Sequence, residues 1–262
     1  MSEAKMIASK DGATGWLVFS NPERLNAVSY EMWQAIPDLM ADFVADPDIR
    51  VVVLRGEGDK AFVSGADISQ FEKKRGTKDA IAEYDQASYR ANAAILSCPK
   101  PTVAMIQGYC VGGGLGIALC CDLRFAADNS RFAIPAGRLG LGYKYDGVKR
   151  LVDVVGPSYA REIFYTARQF NVDEALAMRL INRSFDVAEL PKAITELCER
   201  IGNNAPLTLR AVKLAVEAAL TDSAARDRAA VDAAVDACFA SEDYKEGRRA
   251  FVEKRPPRFR GV

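Results

Sequence analysis

The sequence predicts an α/β fold whose last part is entirely helical. Over the first two thirds of the 262 residues, short apolar stretches typical of buried strands alternate with helical patterns, whereas only alanine-rich helical patterns follow Glu189. Strands that alternate with helices favour a sheet covered by helices, and a chain of this length can bury a large core. We therefore expect a core over residues 1–188 and a helical subdomain over residues 189–262.

The first hundred residues are predicted to contain a hairpin, a buried strand and three helices. Asp11-Gly12 is typical of a hairpin turn, Ser29 is a favoured helix cap, and Pro99 ends the last of these helices. The predicted elements are the hairpin at 6–20, the strand at 50–55, and the helices at 29–44, 67–74 and 78–97.

An uncharged stretch from Pro101 to Cys121 occupies the middle of the chain. It predicts a buried strand at 102–106, a turn, the glycine run Gly112-Gly113-Gly114 and an apolar helix that ends at Asp122. A membrane helix is the alternative for an uncharged stretch of this length. The stretch contains five glycines, each costing ~1 kcal/mol of helix propensity relative to alanine, which favours the buried strand and helix.

The glycine run indicates a site for an oxygen that carries negative charge. Glycine allows close approach of the backbone because it has no Cβ. The first amides of a helix have no intrahelical acceptor, and the helix dipole places partial positive charge there. The run is therefore a candidate oxyanion hole; a purely structural glycine turn is the competing interpretation.

The rest of the chain is predicted to be mainly helical. After a strand at 123–126, a loop is predicted to begin at Phe132, and Gly156-Pro157 is predicted to break a helix. Asp173 is predicted to cap the next helix. The predicted helices are 147–155, 158–167, 174–179, 190–202, 206–220, 224–239 and 242–253.

Composition and charge exclude several classes of function. The chain has 35 basic and 35 acidic residues, so we expect no nucleic-acid partner and no attachment to an anionic membrane. It has no histidine, which removes Ser-His, Cys-His and His-metal mechanisms. The six cysteines form no CxxC pair and are typical of core thiols. We expect no metal and, because the N-terminus shows no signal or transit pattern, a cytoplasmic location.

Two further motifs accompany the glycine run. Residues 21–27 have the sequence NPERLNA, and residues 61–68 have the sequence AFVSGADI. Together with the glycine run, in this order and spacing, they resemble the crotonase (enoyl-CoA hydratase/isomerase) superfamily, over the chain from Trp16 to Phe259. The resemblance implies a crotonase-like spiral of ββα units, followed by a helical C-terminal region that forms homotrimers, often stacked as hexamers.

The resemblance also implies an acyl-CoA site. The backbone amides of Ala66 and Gly113 are expected to hold the thioester oxygen and stabilise its enolate. Lys254 matches a C-terminal lysine that reaches a CoA phosphate, often across a subunit interface; a solvated charge is the competing interpretation. No cofactor beyond the CoA moiety of the substrate is expected. The implied CoA-binding residues are Arg24, Leu25, Ala66, Asp67, Ile68 and Lys254.

The sequence departs from the family pattern at two positions. Hydratases of the family carry one glutamate in the helix after the glycine run and a second after the proline that follows the next strand; here these positions are Gly116 and Ala136. A positioned acid or base usually contributes ~10²- to 10⁴-fold. We therefore expect poor hydration of a 2-enoyl-CoA, with enolate stabilisation retained. Some naphthoate synthases are thought to use bicarbonate at the position of Ala136, so a bound anion there is an alternative.

Two residues of the segment 139–147 are candidates to replace the glutamates. Tyr143 matches the position of an active-site tyrosine in methylmalonyl-CoA decarboxylases, and Lys144 matches that of a functional aspartate in dienoyl-CoA isomerases and a dehalogenase. A tyrosine can donate a proton to an enolate, and a lysine can attract an acidic acyl group. In the competing interpretation, Tyr143 and Tyr145 pack while Lys144 and Asp146 face water.

Three interpretations of function stay open. The first is an enzyme of the family that stabilises a thioester enolate, with decarboxylation or isomerisation through Tyr143 and Lys144 favoured over hydration. The second is a non-catalytic acyl-CoA-binding protein. The third, RNA binding as in one branch of the family, has little support because the chain has no basic excess.

Overall fold

The computed structural model describes residues 4–67 and 78–262, with side chains from Ala82 onward in the second range. Ile68 and all but the first residue of the helix predicted at 67–74 lie outside the described residues. Within the described ranges, no helix is both long enough and apolar enough to cross a membrane. The uncharged stretch at 101–121 forms two strands and a short helix instead.

The described strands form two sheets. A six-stranded sheet has the order β1-β2-β3-β5-β7-β9, in which β1 and β2 are antiparallel and the other neighbours are parallel. A three-stranded parallel sheet has the order β4-β6-β8. The strands are β1 (Lys5–Asp11), β2 (Thr14–Ser20), β3 (Val51–Gly56), β4 (Ala61–Val63), β5 (Thr102–Ile106), β6 (Tyr109–Val111), β7 (Leu123–Ala127), β8 (Arg131–Ala133) and β9 (Arg183–Phe185).

Helices follow the strand pairs and fill the C-terminal part. Ser29 caps the first helix by accepting a hydrogen bond from the amide of Met32, as predicted. The described helices are α1 (Tyr30–Ala45), α2 (Lys78–Leu96), α3 (Gly113–Cys120), α4 (Tyr145–Thr166), α5 (Val172–Ala177), α6 (Leu190–Gly202), α7 (Pro206–Leu220), α8 (Arg228–Ala240) and α9 (Glu242–Glu253).

The connectivity is a spiral. The pairs β3–β4, β5–β6 and β7–β8 each place their first strand in the large sheet and their second strand in the small one. Helix α2 follows the first pair, α3 the second and α4 the third. This confirms the spiral of ββα units and the helical C-terminal region that the family resemblance implies.

The central strands of the large sheet, β2, β3, β5 and β7, are largely buried, as apolar strands covered on both faces predict. Val52 and Leu54 pack into a cluster formed with α1 and α2. Val51 and Val53, which point the other way, pack against Leu190 and its neighbours on α6. This core holds the strand ends, and therefore the loops that follow them, in fixed positions.

Several local predictions were wrong. Asn171, not Asp173, caps α5: its side chain accepts from the Glu174 amide and the Glu174 carboxylate accepts from the Asn171 amide, both at 2.9 Å. This reciprocal box satisfies two backbone donors at once. Phe132 and Ala133, the first residues of the predicted loop, belong to strand β8. By contrast, the break predicted at Gly156-Pro157 is confirmed: Gly156 has a non-helical φ of +75° and kinks α4 at this point.

Gly114 and Gly116, both in α3, are expected to respond differently to alanine. A Cβ at Gly114 would lie 2.1 Å from the carbonyl oxygen of Val63, whereas a Cβ at Gly116 would meet no atom of the described residues within 4 Å. Gly114→Ala is therefore expected to lower the free energy of unfolding by about 3 kcal/mol or more. Gly116→Ala is expected to maintain or raise it, because alanine favours the helix by ~1 kcal/mol. Thermal melting followed by circular dichroism tests both; equal losses would contradict the prediction.

Candidate active site

Three loops meet at one edge of the small sheet. Because β4, β6 and β8 are parallel neighbours, their carboxyl ends lie side by side. Residues 64–67 follow β4, Gly112-Gly113 follows β6, and 134–136 follows β8. The motifs predicted to bind the thioester, and the position of the second missing glutamate, are therefore adjacent in space.

The amides of Ala66 and Gly113 converge at this edge. The Ala66 nitrogen lies 3.7 Å from the position that a Cβ on Gly113 would occupy. The turns need glycine, since Gly65 has φ of +123° and Gly112 has φ of +55°. Neither the Ala66 nor the Gly113 amide donates to a backbone carbonyl of the described residues. Two neighbouring backbone donors without a carbonyl acceptor among the described residues are what the predicted oxyanion hole requires, and their binding of a thioester oxygen stays a prediction.

Hydrogen bonds on either side of Ala66 orient its amide. The Val28 amide donates to the Gly65 carbonyl at 2.9 Å, and the Asp67 amide donates to the Val28 carbonyl at 3.0 Å. This isolated parallel bridge uses the groups that flank Ala66 and leaves its own N–H for a ligand. The loop after β4 is thereby fixed to the segment before α1.

The NPERLNA segment contacts the same loop. The Ser64 amide donates to the Leu25 carbonyl and the Ser64 hydroxyl to the Arg24 carbonyl, both at 3.1 Å. The Arg24 guanidinium lies 3.1 Å from the carboxylate of Asp67, which is buried. Arg24, Leu25, Ala66 and Asp67 are therefore grouped at one edge, as the acyl-CoA prediction requires.

Asn26 holds this segment against the sheet. Its side chain is 1% exposed and donates to the carbonyls of Glu57 at 2.9 Å and Ala61 at 2.8 Å. Its Oδ1 accepts from the Asn21 amide at 3.0 Å. Sequence reasoning did not single out Asn26, although it lies within a quoted motif, because nothing in the sequence identifies its backbone partners.

A buried aromatic pair packs behind the oxyanion hole. The Trp33 indole on α1 donates to the Tyr84 hydroxyl on α2 at 2.8 Å. Trp33 Cζ2 lies 3.8 Å from the Cβ position of Gly113. Helices α1 and α2 thus form the wall next to the two amides. The sequence predicted both helices but not this contact.

The two positions that lack glutamate differ in their surroundings. Gly116 lies on α3, and a side chain there would enter space that no atom of the described part of the chain occupies within 4 Å of its Cβ. Ala136 is 6% exposed, and its carbonyl accepts from the amides of Leu139 and Leu141, both at 3.0 Å. No carboxylate is present at either position, so neither can act as an acid or base.

The structure distinguishes Tyr143 from Lys144. The Tyr143 ring packs edge-on against Phe164, with centroids 4.9 Å apart, and burial raises the pKa of its hydroxyl while the nearby Arg150 opposes the shift. The Lys144 side chain is 73% exposed and its ammonium lies 2.9 Å from the carboxylate of Asp85. Tyr145 is exposed, so this tyrosine does not pack as the competing interpretation supposed.

Asp85 is a carboxylate near the site that sequence reasoning missed. It lies on α2, faces the segment before α4, and has a side chain that is 30% exposed. Lys254 ends α9 in an exposed, left-handed conformation, and its contact with a CoA phosphate stays a prediction. A cavity of about 930 Å³ lies at the other end of α3, where Cys120, Cys121 and α7 line it, away from the two amides.

The chain matches the sequence model of the family described as Enoyl-CoA hydratase/isomerase over residues 11–262. It belongs to the enoyl-CoA hydratase/isomerase family. Among its relatives, crotonyl-CoA hydratase of Syntrophomonas wolfei is 32% identical over 99% of each chain, and short-chain-enoyl-CoA hydratase of Clostridium acetobutylicum is 30% identical over 95% of each.

Solved structures of this family have the same fold. The chain is similar to an enoyl-CoA hydratase/carnithine racemase from Magnetospirillum magneticum, with a TM-score of 0.92, 34% identity, and coverage of 100% of this chain and 97% of that one. An enoyl-CoA hydratase subunit from Geobacillus kaustophilus has a TM-score of 0.88 and 32% identity over 98% of each chain.

Asn26→Ala is expected to destabilise this enoyl-CoA hydratase/isomerase family member strongly. The change removes three hydrogen bonds in a buried place, and each buried partner left unsatisfied costs about 1–3 kcal/mol. We expect a loss of several degrees in melting temperature, measured by circular dichroism. Asn203→Ala, at an exposed helix end, is the control and should melt like wild type. A wild-type melting temperature for Asn26→Ala would contradict the assigned role.

Proposed function

We propose that this protein is an enzyme that binds an acyl-CoA thioester, stabilises its enolate, and moves a proton or a double bond in preference to adding water. The observation that supports the proposal is the convergence of the Ala66 and Gly113 amides beside two positions, Gly116 and Ala136, that lack a carboxylate. The site keeps the electrostatic part of the family's chemistry and lacks the usual acid and base of hydration.

Enolate formation places negative charge on the thioester oxygen. Two backbone N–H groups aimed at this oxygen stabilise it, each by about 3–4 kcal/mol in sites of this kind. Gly113 is the first residue of α3, so the helix dipole adds partial positive charge at the same place. Backbone donors are held by the fold and need no reorganisation when the charge develops.

Water addition has further requirements that this site does not meet. One group must activate the water and another must deliver a proton to the carbon next to the thioester. The relatives are named hydratases, but their names describe those proteins. Gly116 and Ala136 supply neither of these two groups, whereas isomerisation of an enoyl-CoA needs only one group, which carries a proton from one carbon to another.

Decarboxylation is the second candidate, and Tyr143 is the observation that favours it. Loss of carbon dioxide from a malonyl-type thioester yields an enolate without a base, so the site then needs only a proton donor. Burial raises the pKa of the Tyr143 hydroxyl, which keeps it protonated at neutral pH and able to donate. Exposed Lys144 would attract the acidic acyl group.

Homotrimers, or pairs of stacked trimers, are also part of the proposal. Helices α8 and α9 expose large apolar side chains, among them Phe239, Phe251 and Val252. Such a face favours burial against another subunit. Lys254 follows this face directly, which suits a lysine that reaches a CoA phosphate bound to a neighbouring subunit.

Mass spectrometry in deuterated water tests the proposed reaction. A short 2-enoyl-CoA and its 3-enoyl isomer are each incubated with the protein. We expect deuterium exchange or double-bond migration at a rate proportional to enzyme, without a hydrated product. A hydrated thioester formed in proportion to enzyme would contradict the preference stated here. Binding of CoA thioesters without any turnover would indicate the non-catalytic alternative.

Gly116→Glu is expected to restore hydration. The new side chain enters the space beside α3 that the described residues leave open, and it supplies one of the two missing carboxylates. A positioned acid or base typically raises the reaction rate by ~10²-fold or more. Hydration of crotonyl-CoA, measured by loss of the conjugated thioester absorbance, should rise at least tenfold on this basis. Gly116→Gln has nearly the same size without the charge and should show no gain. Equal rates for the two variants would show that a carboxylate here is not what limits hydration.

A further inference from the structure

We propose that Asp85 on α2 supplies the carboxylate that moves the proton in this site, replacing the glutamates absent at Gly116 and Ala136. The inference rests on the proposed enolate chemistry and names the group that performs its proton transfer. The described residues place Asp85 here by two independent observations, one from helix packing and one from an ion pair.

The first observation begins with the direction of two helices. Helix α2 leads into β5 and helix α3 leads into β7. Strands β5 and β7 are parallel neighbours, so both helices end at the same edge of the large sheet. The two helices therefore run in the same sense, and they pack against each other.

A side-chain contact fixes how far one helix is displaced along the other. The Cys120 thiol at the end of α3 lies 3.5 Å from the Asn92 side-chain oxygen on α2. Asp85 lies seven residues before Asn92, and Gly113 likewise lies seven residues before Cys120. At ~1.5 Å per residue, both steps are about 10 Å toward the helix start. Asp85 is therefore level with the amide of Gly113.

Helical periodicity determines which face Asp85 occupies. Seven residues are almost two full turns, so Asp85 lies on the same face of α2 as Asn92, the face that contacts α3. Ser88, four residues before Asn92, is level with Gly116, four residues before Cys120. The open space at Gly116 thus lies opposite a polar stripe of α2 that begins with Asp85.

The second observation is the ion pair with Lys144. The carboxylate of Asp85 lies 2.9 Å from the Lys144 ammonium, and Lys144 follows the loop that begins at Ala136. Asp85 is thereby located between α3 and the 136–144 loop, the two elements that carry the glutamates in hydratases. Its side chain is 30% exposed, so the described residues do not fully enclose the carboxylate.

The proton transfer balances for isomerisation of a 3-enoyl-CoA. An Asp85 oxygen forms a bond to the proton on C2, and the C2–H electron pair becomes the C1–C2 double bond. The carbonyl π electrons move to the thioester oxygen, where the amides of Ala66 and Gly113 hold the charge. When the carbonyl reforms, the C1–C2 π electrons become the C2–C3 double bond, and the C3–C4 π electrons form the C4–H bond with the proton that Asp85 returns. The carboxylate is regenerated and no other reactant is needed.

A purely structural ion pair makes a different prediction. Exposed pairs contribute only ~0–1 kcal/mol to stability, and removal of either partner would then have the same small effect. If Asp85 is catalytic, its loss should remove turnover, whereas loss of Lys144 should only reduce it because Lys144 positions the carboxylate.

Kinetics with trans-3-hexenoyl-CoA test the assignment. Formation of the conjugated 2-enoyl thioester gives kcat for wild type, Asp85→Asn, Asp85→Glu, Lys144→Met and Glu83→Gln. Glu83 is an exposed carboxylate on the same helix and provides the matched control. Calorimetric binding of hexanoyl-CoA and thermal melting are measured for every variant, so that loss of turnover is separated from loss of binding or of folding.

We expect Asp85→Asn to lower kcat by ~10²-fold or more with unchanged hexanoyl-CoA affinity and melting temperature. Asp85→Glu should recover part of the rate, Lys144→Met should lose less than Asp85→Asn, and Glu83→Gln should match wild type. A wild-type kcat in Asp85→Asn would overturn the role of Asp85 alone, and a parallel loss of affinity or folding would assign it a structural role. A wild-type protein that binds hexanoyl-CoA yet never moves the double bond would overturn the proposed function and this inference together.

Discussion

The site depends on the close approach of backbone to backbone within the small sheet. A Cβ at Gly108 would lie 1.9 Å from the Lys60 carbonyl oxygen, and one at Gly114 would lie 2.1 Å from that of Val63. Both contacts bring the β4 segment against the β6–α3 segment at distances that only glycine permits. Because no side chain separates these two segments, the amides of Ala66 and Gly113, which follow them, can lie close together. The positions of the loops and of the start of α3 follow from this contact.

The fold divides its chemistry between backbone and side chains. In the proposed function, two amides stabilise the enolate oxygen, so this stabilisation would persist through almost any change of side chain that leaves the backbone in place. Proton transfer belongs to side chains, which differ here at Gly116 and Ala136. A family member can therefore keep its recognition of thioesters while its reaction changes. Likeness to relatives at about one third identity accordingly identifies the family and leaves the reaction to be determined from the residues present.

Much of the fold was predictable from local patterns, and much of the site was not. The sequence correctly predicted a strand from the apolar run 51–54, a helix start from Ser29 and a helix end before Pro99. Interactions between residues close in sequence determine these features. Strand β8 was missed because three residues carry too little periodicity to distinguish a strand from a loop. Asp85 was missed because its importance arises from residues far away in sequence: only the packing of α2 on α3 and the contact with Lys144 bring it to the glycine run. Ala66 and Gly113 were predicted from a family motif and not from periodicity, and their role stays a prediction.

A thiol lies one helical turn from the open space at Gly116. The Cys120 sulfur contacts the Gly116 carbonyl at 3.2 Å, and burial raises its pKa to about 11. The thiolate, not the thiol, is the nucleophile that attacks a thioester. Burial therefore lowers the fraction of Cys120 that is present as thiolate at neutral pH. A helix of the candidate site can in this way contain a cysteine that is a poor nucleophile.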